Sequence, residues 1–232
     1  LLTHVGQKIY LLAKQMEDLD NRIAQTAYRE NHFMEGRLRI AALTSLVSTI
    51  LSKALKDYRK AFPGVTVEIR EGSPNDIFRM VEEHTVDFAV SCSPFGKSDS
   101  TTLRRDRMAA MLPEEAPDIL EVDLTAPPAL LIINKPAYET ILDHVKQPFP
   151  VEQFLQVQTA ETAINMVLDG NGIGILSEYT MDTLVAGHRK YPVKPEIAFD
   201  IGIFARDLED LTPAALEFVH LITQRLTAAP AA

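Results

Sequence analysis

Gly36-Arg37-Leu38-Arg39-Ile40-Ala41-Ala42-Leu43 alternates at its start and then turns continuously apolar, the pattern of a strand entering a buried sheet. Thr44 or Ser45 stands where it can cap the next helix. Leu51, Leu55, Tyr58 and Phe62 then recur at helical spacing until Pro63-Gly64, a pair that stops a helix. Val65 to Glu71 reads as a strand with Val65, Val67 and Ile69 on one face. Ser73-Pro74 opens another helix, striped by Ile77, Phe78 and Val81. Val86 to Ser91 is a short apolar strand. Strand, helix, strand, helix, strand argues a parallel sheet with right-handed crossovers.

A second alternating unit follows a Ser-rich loop, Ser91 to Thr102. Leu103 to Leu112 reads as a long strand and Pro113 to Asp123 as an acidic loop. Strands are expected at Ala129 to Ile133, Phe154 to Val157 and Ile173 to Leu176. Helices are expected at Tyr138 to Val145, Thr159 to Leu168 and Glu178 to Val185. Glu196 to Ala205 is a strand long enough to pass from one unit to the other. A last helix runs from about Thr212 to Leu226, striped by Leu216, Val219, Ile222 and Leu226.

Upstream, Leu2, Val5, Ile9, Leu12, Met16, Leu19, Ile23 and Thr26 fall in alternating steps of three and four. All but the last are apolar, and the period is close to the coiled-coil value. Burying seven such side chains is worth roughly 10–20 kcal/mol as an upper estimate. The sharper reading of residues 1–31 is therefore a dimerisation helix; the plainer one is a helix lying on its own domain. Lys8, Lys14, Gln15, Glu17, Asp18, Asp20 and Arg22 make its polar face.

The chain has 232 residues, 46% hydrophobic and 24% charged, with a net charge of −9. That is ordinary globular composition, enough for one large domain or two small ones. No apolar run is long enough to span a membrane, and no signal peptide stands at Leu1. The first residue is not Met, so the expectation is a fragment of a longer protein. One cysteine, Cys92, excludes an internal disulfide framework and fits the cytoplasm. An acidic chain without a basic stripe is a poor nucleic-acid binder, so DNA contact would need a segment outside these residues.

Catalytic signals are absent from the sequence. Gly170-Asn171-Gly172-Ile173-Gly174 follows a helix and leads into a strand, the reverse of a dinucleotide fingerprint; it reads as a helix stop and tight turn. The six histidines are scattered, at His4, His32, His84, His144, His188 and His220, without metal-ligand spacing. There is no nucleophile elbow and no P-loop, so neither cofactor nor metal is implied. Cys92 reads as a packing residue rather than a redox sensor. Around Asp106, Arg104, Arg105 and Arg107 read as a solvated, partly paired surface.

Helix starts that directly follow strand ends are more informative, because ligands of open α/β sheets bind there. The first unit offers Thr44, Ser45, Ser73, Ser91 and Ser93. The second offers Asn134, Lys135, Thr159, Glu161, Thr162 and Ser177. Helix capping accounts equally well for any one of them. Taken as a set, Thr44, Ser45, Ser91, Ser93, Asn134, Lys135, Thr159 and Glu161 are the candidate effector contacts. If Glu161 lines the cleft, it disfavours purely anionic ligands and favours an amine or a hydroxyl.

From Gly36 to Val90 the chain resembles the effector-binding domain of LysR-type transcriptional regulators. The resemblance rests on Gly36, Leu38 and Ile40 in the opening strand, and on Tyr58 with Phe62-Pro63-Gly64-Val65. It continues through Glu71-Gly72, Val86-Asp87-Phe88-Ala89-Val90, Ala163-Ile164 to Val167, and Gly170 to Leu176. Leu2-Thr3-His4-Val5-Gly6 is similar to the family's passage from winged helix into linker helix. Ala41, Thr85 and Ser177 stand where the family usually has Gly, Gly and Pro.

The resemblance implies an α/β fold of two Rossmann-like subdomains joined by two crossover strands, as in a type 2 periplasmic binding protein. Subdomain I would be 36–101 plus 204–228, and subdomain II 102–203. It implies a small-molecule effector in the cleft, a homodimer through Leu2, Val5, Ile9, Leu12, Met16, Leu19 and Ile23, and pairing of dimers into a homotetramer. DNA would be contacted only by an N-terminal domain outside this chain, and no membrane is involved. Two other readings of the same fold are a solute-binding protein for a transporter and an enzyme.

Overall fold

A computed structural model describes residues 3–29, 35–117, 119–144 and 153–228 of the chain. It opens with helix α1 (His4–Arg29) and strand β1 (Gly36–Ala42). A helical stretch follows as α2 (Thr44–Leu46), a π-helical turn at Val47–Leu51, and α3 (Ser52–Ala61). Then come β2 (Val65–Glu71), α4 (Pro74–Glu82), β3 (Phe88–Cys92) and the 13-residue β4 (Asp99–Met111). The second half holds β5 (Val122–Asp123), β6 (Leu131–Asn134), α5 (Lys135–His144), β7 (Phe154–Val157) and α6 (Ala160–Leu168). It ends with β8 (Ile173–Ser177), α7 (Glu178–Leu184), β9 (Lys190–Lys194), β10 (Ala198–Ala205) and α8 (Pro213–Ala228).

The main strand order is β2-β1-β3-β10-β4-β8-β6-β7. β1 runs parallel to β2 and β3, with Gly36 opposite Val65 and Ala41 opposite Ala89. β6 runs parallel to β7 and β8. Two antiparallel strands join these halves. β10 pairs with β3 and, along its whole length, with β4. β4 leaves β10 after Arg107 and pairs through Met108–Met111 with β8.

One apolar cluster runs through both halves, joining Leu38 and Phe88 to Leu131, Ile133 and Ile175. Tyr58, Phe88 and Phe218 are fully buried in the first; Tyr58 meets Phe218 edge-on at 4.9 Å and donates its hydroxyl to Ala214 O at 2.9 Å. Met111, Ile132, Ile164, Val167, Leu176 and Met181 form a separate cluster in the second.

Several expectations are corrected. Leu43, not Thr44 or Ser45, is the N-cap of α2, and no side chain caps that end. The hydroxyls nearby bond backwards instead, Ser48 to Thr44 O at 3.2 Å and Thr49 to Ser45 O at 2.6 Å. β3 begins at Phe88 rather than Val86, because the Asp87 carboxylate turns aside to accept from Arg39 N at 2.6 Å. Asp99 to Thr102, expected as loop, supplies the first residues of β4: pairing with Gly202 to Ala205 overrides its weak strand propensity. α5 starts at Lys135, ahead of the expected Tyr138, with Pro136 in its first turn. β5 and β9 go beyond the expected elements; β9 alternates buried Tyr191 and Val193 around Pro192 and pairs with both β4 and β5. The expected helix end at Val145 lies outside the described residues, as does Leu2.

α1 faces two ways. Its seam points to solvent: Val5, Ile9, Leu12, Met16, Leu19 and Ile23 are each 57–73% exposed. Its polar side rests on the first half of the sheet. Gln25 is fully buried, donating to Arg37 O at 3.1 Å and accepting from Ala214 N at 2.9 Å. Asn21 donates to Arg37 O at 3.0 Å. Asp18 pairs with the buried Arg39, whose guanidinium also meets Asp87 at 3.1 Å. Burial opposes the charge on Arg39, but Asp87 and Asp18 outweigh it and hold its pKa above the usual value.

His84 closes α4 with φ 55°. His84 N donates to Val81 O at 3.2 Å and Thr85 N to Met80 O at 3.0 Å, the two bonds of a Schellman stop that usually calls for glycine. This backbone sets the imidazole among Gln15, Asp18 and Arg206. Burial first, and Arg206 second, lower its pKa against the opposing pull of Asp18 and Glu82.

Two predictions follow from this geometry. Gly172 has φ +154°, and a Cβ there would lie 2.3 Å from Leu130 O; Gly170 has φ +80° with open space around it. Gly172→Ala is expected to cost more than about 2 kcal/mol in urea unfolding and Gly170→Ala about 1 kcal/mol. Equal effects would contradict the close approach. For His84, a folded pKa below the unfolded value means the unfolded chain takes the proton first as acidity rises, so stability falls as pH drops through about 6.5. His84→Gln should flatten that part of the stability profile between about pH 8 and pH 5.5, read by denaturant midpoints.

Candidate functional site

The carboxyl ends of β1 and β3 face those of β6 and β8 across the crossing strands. Between them lies a cavity of ≈ 30 Å³, about the share of volume one liquid water takes. Leu43, Ser45 and Leu46 line it from the first half. Cys92, Met108, Phe199 and Ile201 form its floor along β3, β4 and β10. Asn134, Thr140, Ala160, Leu176, Ser177 and Thr180 close it from the second half.

Of the eight candidate contacts, Ser45 and Asn134 line this cavity. The other six stand around it. Thr44 opens α2, and its carbonyl accepts from Ser48. Thr159 caps α6, its Oγ1 accepting from Thr162 N at 3.2 Å. Ser93 Oγ accepts from Asp200 N at 2.9 Å, which ties it to β10. Ser91 is buried, and its Oγ has no hydrogen-bond partner among the described residues. Glu161 sits at the rim, its Oε1 3.4 Å from Ser48 Oγ on the opposite half. Lys135 is also half-buried; the pKa of Asp76 of α4 is lowered first by the Ser73 hydroxyl, then by its ion partner Arg79 at 2.6 Å, and last by the more distant charge of Lys135.

Asp106 is the residue sequence reasoning misplaced. The sequence sets it within a solvated Arg run, yet it is buried. Its carboxylate accepts from Ser177 Oγ at 2.6 Å and Tyr179 N at 3.3 Å, both at the start of α7. Burial raises its pKa, and Ser177, the Arg107 and Tyr179 amides and Arg104 pull it back. Arg104 lies 4.4 Å over the Tyr179 ring, while Arg107 reaches Glu178 at 2.9 Å. The signal was present: alternation places Asp106 on the same strand face as Met108, which is buried.

Cys92 lines the cavity, and its thiol pKa is pushed up by burial and by the negative field of Asp106. A raised thiol is a poor nucleophile, in line with a packing role. Among the described residues no cluster of His, Cys, Asp and Glu could hold a metal ion. No helix among them is long and apolar enough to cross a membrane.

Two α/β halves hinged on paired strands, with a cavity between them, define a binding-protein type of fold. The chain belongs to the LysR family of transcriptional regulators: the LysR substrate binding domain matches residues 32–227. It is 34% identical over 227 residues to YoaU, an uncharacterised HTH-type transcriptional regulator of Bacillus subtilis (strain 168), covering 96% of this chain and 78% of that protein. Among solved structures, a full-length OxyR variant from Pseudomonas aeruginosa aligns with a TM-score of 0.69 at 15% identity, covering 99% of this chain and 80% of the other. The regulatory domain of Synechocystis PCC6803 CcmR, in complex with 2-PG, aligns with a TM-score of 0.69 at 14% identity, over 84% of this chain and 99% of its own. These two likenesses establish the fold, two subdomains of periplasmic-binding-protein type preceded by a helix. Kinship with regulators places the chain among them rather than among enzymes or transporter components.

Proposed function

We propose that this chain is the effector-sensing and assembly region of its regulator, taking a small molecule between subdomain I (36–101 plus 204–228) and subdomain II (102–203). The observation that carries the reading is the cavity shared by both halves and by the strands that join them. Its present volume admits no metabolite, so binding parts the lobes, and the bound state differs from the free one in their relative placement. Ser45 and Asn134 touch the effector, with Ser177, Thr140 and Thr180 beside them. Thr44, Thr159, Glu161 and Lys135 shape the rim, and Ser91 and Ser93 hold the end of β3 against β10.

The exposed seam of α1 supports a homodimer, with dimers pairing into a homotetramer. Since the polar face of the same helix is bound to the first lobe, helix pairing and lobe orientation are coupled. DNA is contacted by a segment outside these residues, and the parent protein works in the cytoplasm.

Two measurements test this. Sedimentation of the chain should show a dimer or larger species, and Leu12→Gln with Met16→Gln should reduce its mass; a monomer before substitution would refute the seam. In a thermal-shift screen of metabolites, a ligand at a hundredfold its dissociation constant adds about 2.7 kcal/mol of stability. Asn134→Leu should abolish the response to any hit, and an undiminished response would place the effector elsewhere.

A further inference from the structure

α1 lies on the first lobe as a lever held mainly at one end. Gln25 is the fixed end, buried between Arg37 O and Ala214 N, with Asn21 beside it on Arg37 O. Arg22 pairs with Asp210, Asp18 with Arg39, and Glu17 with Arg37 at 3.3 Å. The last tie toward the N-terminus is Gln15, which meets His84. Among the described residues no hydrogen bond or ion pair joins α1 to the lobe ahead of it. Below this stretch of helix runs a groove of ≈ 540 Å³, room enough for water to enter.

His84 stands at the swinging end of the lever. Its left-handed backbone, φ 55°, presents the ring to the groove. Nε2 touches the Arg206 guanidinium and lies 3.4 Å from the side-chain nitrogen of Gln15; Nδ1 is 3.8 Å from Asp18 Oδ2. A guanidinium only donates. Nε2 therefore keeps its lone pair in this arrangement, and the ring is neutral with its hydrogen on Nδ1, toward Asp18.

A proton on Nε2 would turn that acceptor into a donor aimed at a cation. Two cations face the ring, Arg206 from beyond β10 and Arg39 from β1. Two carboxylates oppose them, Asp18 from α1 and Glu82 from α4; Asp18 is already engaged by Arg39. The other charges lining the groove are matched elsewhere: Asp87 meets Arg39 at 3.1 Å, Asp210 holds Arg22, and Asp207 accepts from Glu209 N at 2.9 Å. Burial, and then Arg206, keep the pKa of the ring below the usual imidazole value. An imidazolium here needs water on Nε2, and Gln15 of α1 stands with Arg206 where that water would be.

We propose that His84 makes this joint acid-sensitive: with a neutral ring α1 lies down on the first lobe, and with a protonated ring its N-terminal half lifts while Gln25 stays in place. From Gln25 to Lys8 is about 25 Å of helix, so a tilt of about 10° carries Lys8 about 4 Å. In a dimer paired through the seam, the same tilt turns the two first lobes relative to each other. That consequence rests on the dimer reading above; the joint itself does not.

The test places spin labels at Lys8→Cys on α1 and Asn75→Cys, exposed on α4, in a Cys92→Ser background of the full chain. Labelled chain is diluted into unlabelled chain, so that pulsed electron resonance reads the distance within one chain whether or not chains pair. The pH runs from about 8 down to about 5.5, within the range where the far-ultraviolet spectrum is unchanged. The distance is expected to shift by several ångströms, with a midpoint that coincides with the His84 imidazole titration followed by NMR. His84→Gln, whose side-chain oxygen accepts from Arg206 at either pH, should hold the distance constant. Arg206→Met, at an exposed position, should also hold it, because the imidazolium then faces Asp18 without the cation beside it. A constant distance in the parent chain while His84 titrates overturns the proposal, since Arg206 alone has then moved aside. A shift that persists in His84→Gln overturns it too, by assigning the response to another group.

Discussion

The pairing of β4 with β10 is the contact on which everything else rests. From Ala198 opposite Arg107 to Ala205 opposite Asp99 these strands form one antiparallel ribbon. Among the described residues it alone carries the sheet from one half to the other. Phe199 and Ile201, which floor the cavity, lie on it, Met108 follows where β4 leaves it, and Asp106 reaches from it to the start of α7. The ladder shifts between Ile201 and Gly202, where a Cβ would lie 2.7 Å from both Phe95 and Thr101 O. The glycine lets Phe95 close over the ribbon at the bulge. Any movement of one lobe against the other is a bend or twist of these two strands, and the cavity floor moves with it.

α1 shows how one amphipathic helix serves two surfaces. The polar side, which a sequence reader assigns to water, is the side that docks, through Asp18, Asn21, Arg22 and Gln25. The apolar side is the one in water. The arrangement makes sense only if each side has its own partner. Polar contacts on the lobe are specific in orientation and individually weak when exposed, whereas the buried Arg39 with its two carboxylates leaves a costly orphan charge if any partner is lost. The helix is thus set at a defined angle on its lobe, and the seam faces outward in a defined direction.

The sequence revealed the order of elements well, because buried parallel strands such as Leu38 to Leu43 and Ile173 to Leu176 carry an apolar signal that needs no context. It also revealed three residues of the cavity, Ser45, Asn134 and Ser177, because strand ends in such sheets lead to the ligand. What it hid were features created by pairing and by burial of charge. Asp99 to Thr102 becomes strand only because β10 lies beside it. Asp106, set among arginines, is read as surface until the chain turns it beneath α7. Ser48 and Glu161 meet only when the two halves close, and nothing in the spacing of residues 113 apart announces that. Thr44 and Ser45, which read as helix caps, instead offer their carbonyls to the hydroxyls of Ser48 and Thr49 one turn on.

The π-helical turn at Val47–Leu51 has a consequence for the register of the whole first helical segment. Such a turn holds one residue more than an α-turn, which advances the side-chain face by about 100°. Ahead of it Ser45 and Leu46 line the cavity; behind it Ala54 and Tyr58 are buried in the core of the first lobe. Shortening the segment by a single residue would restore a regular spiral, and one of these two assignments would then be lost. The surplus residue is what allows a continuous run of chain to pack a lobe on one side and present a hydroxyl to a neighbouring lobe on the other.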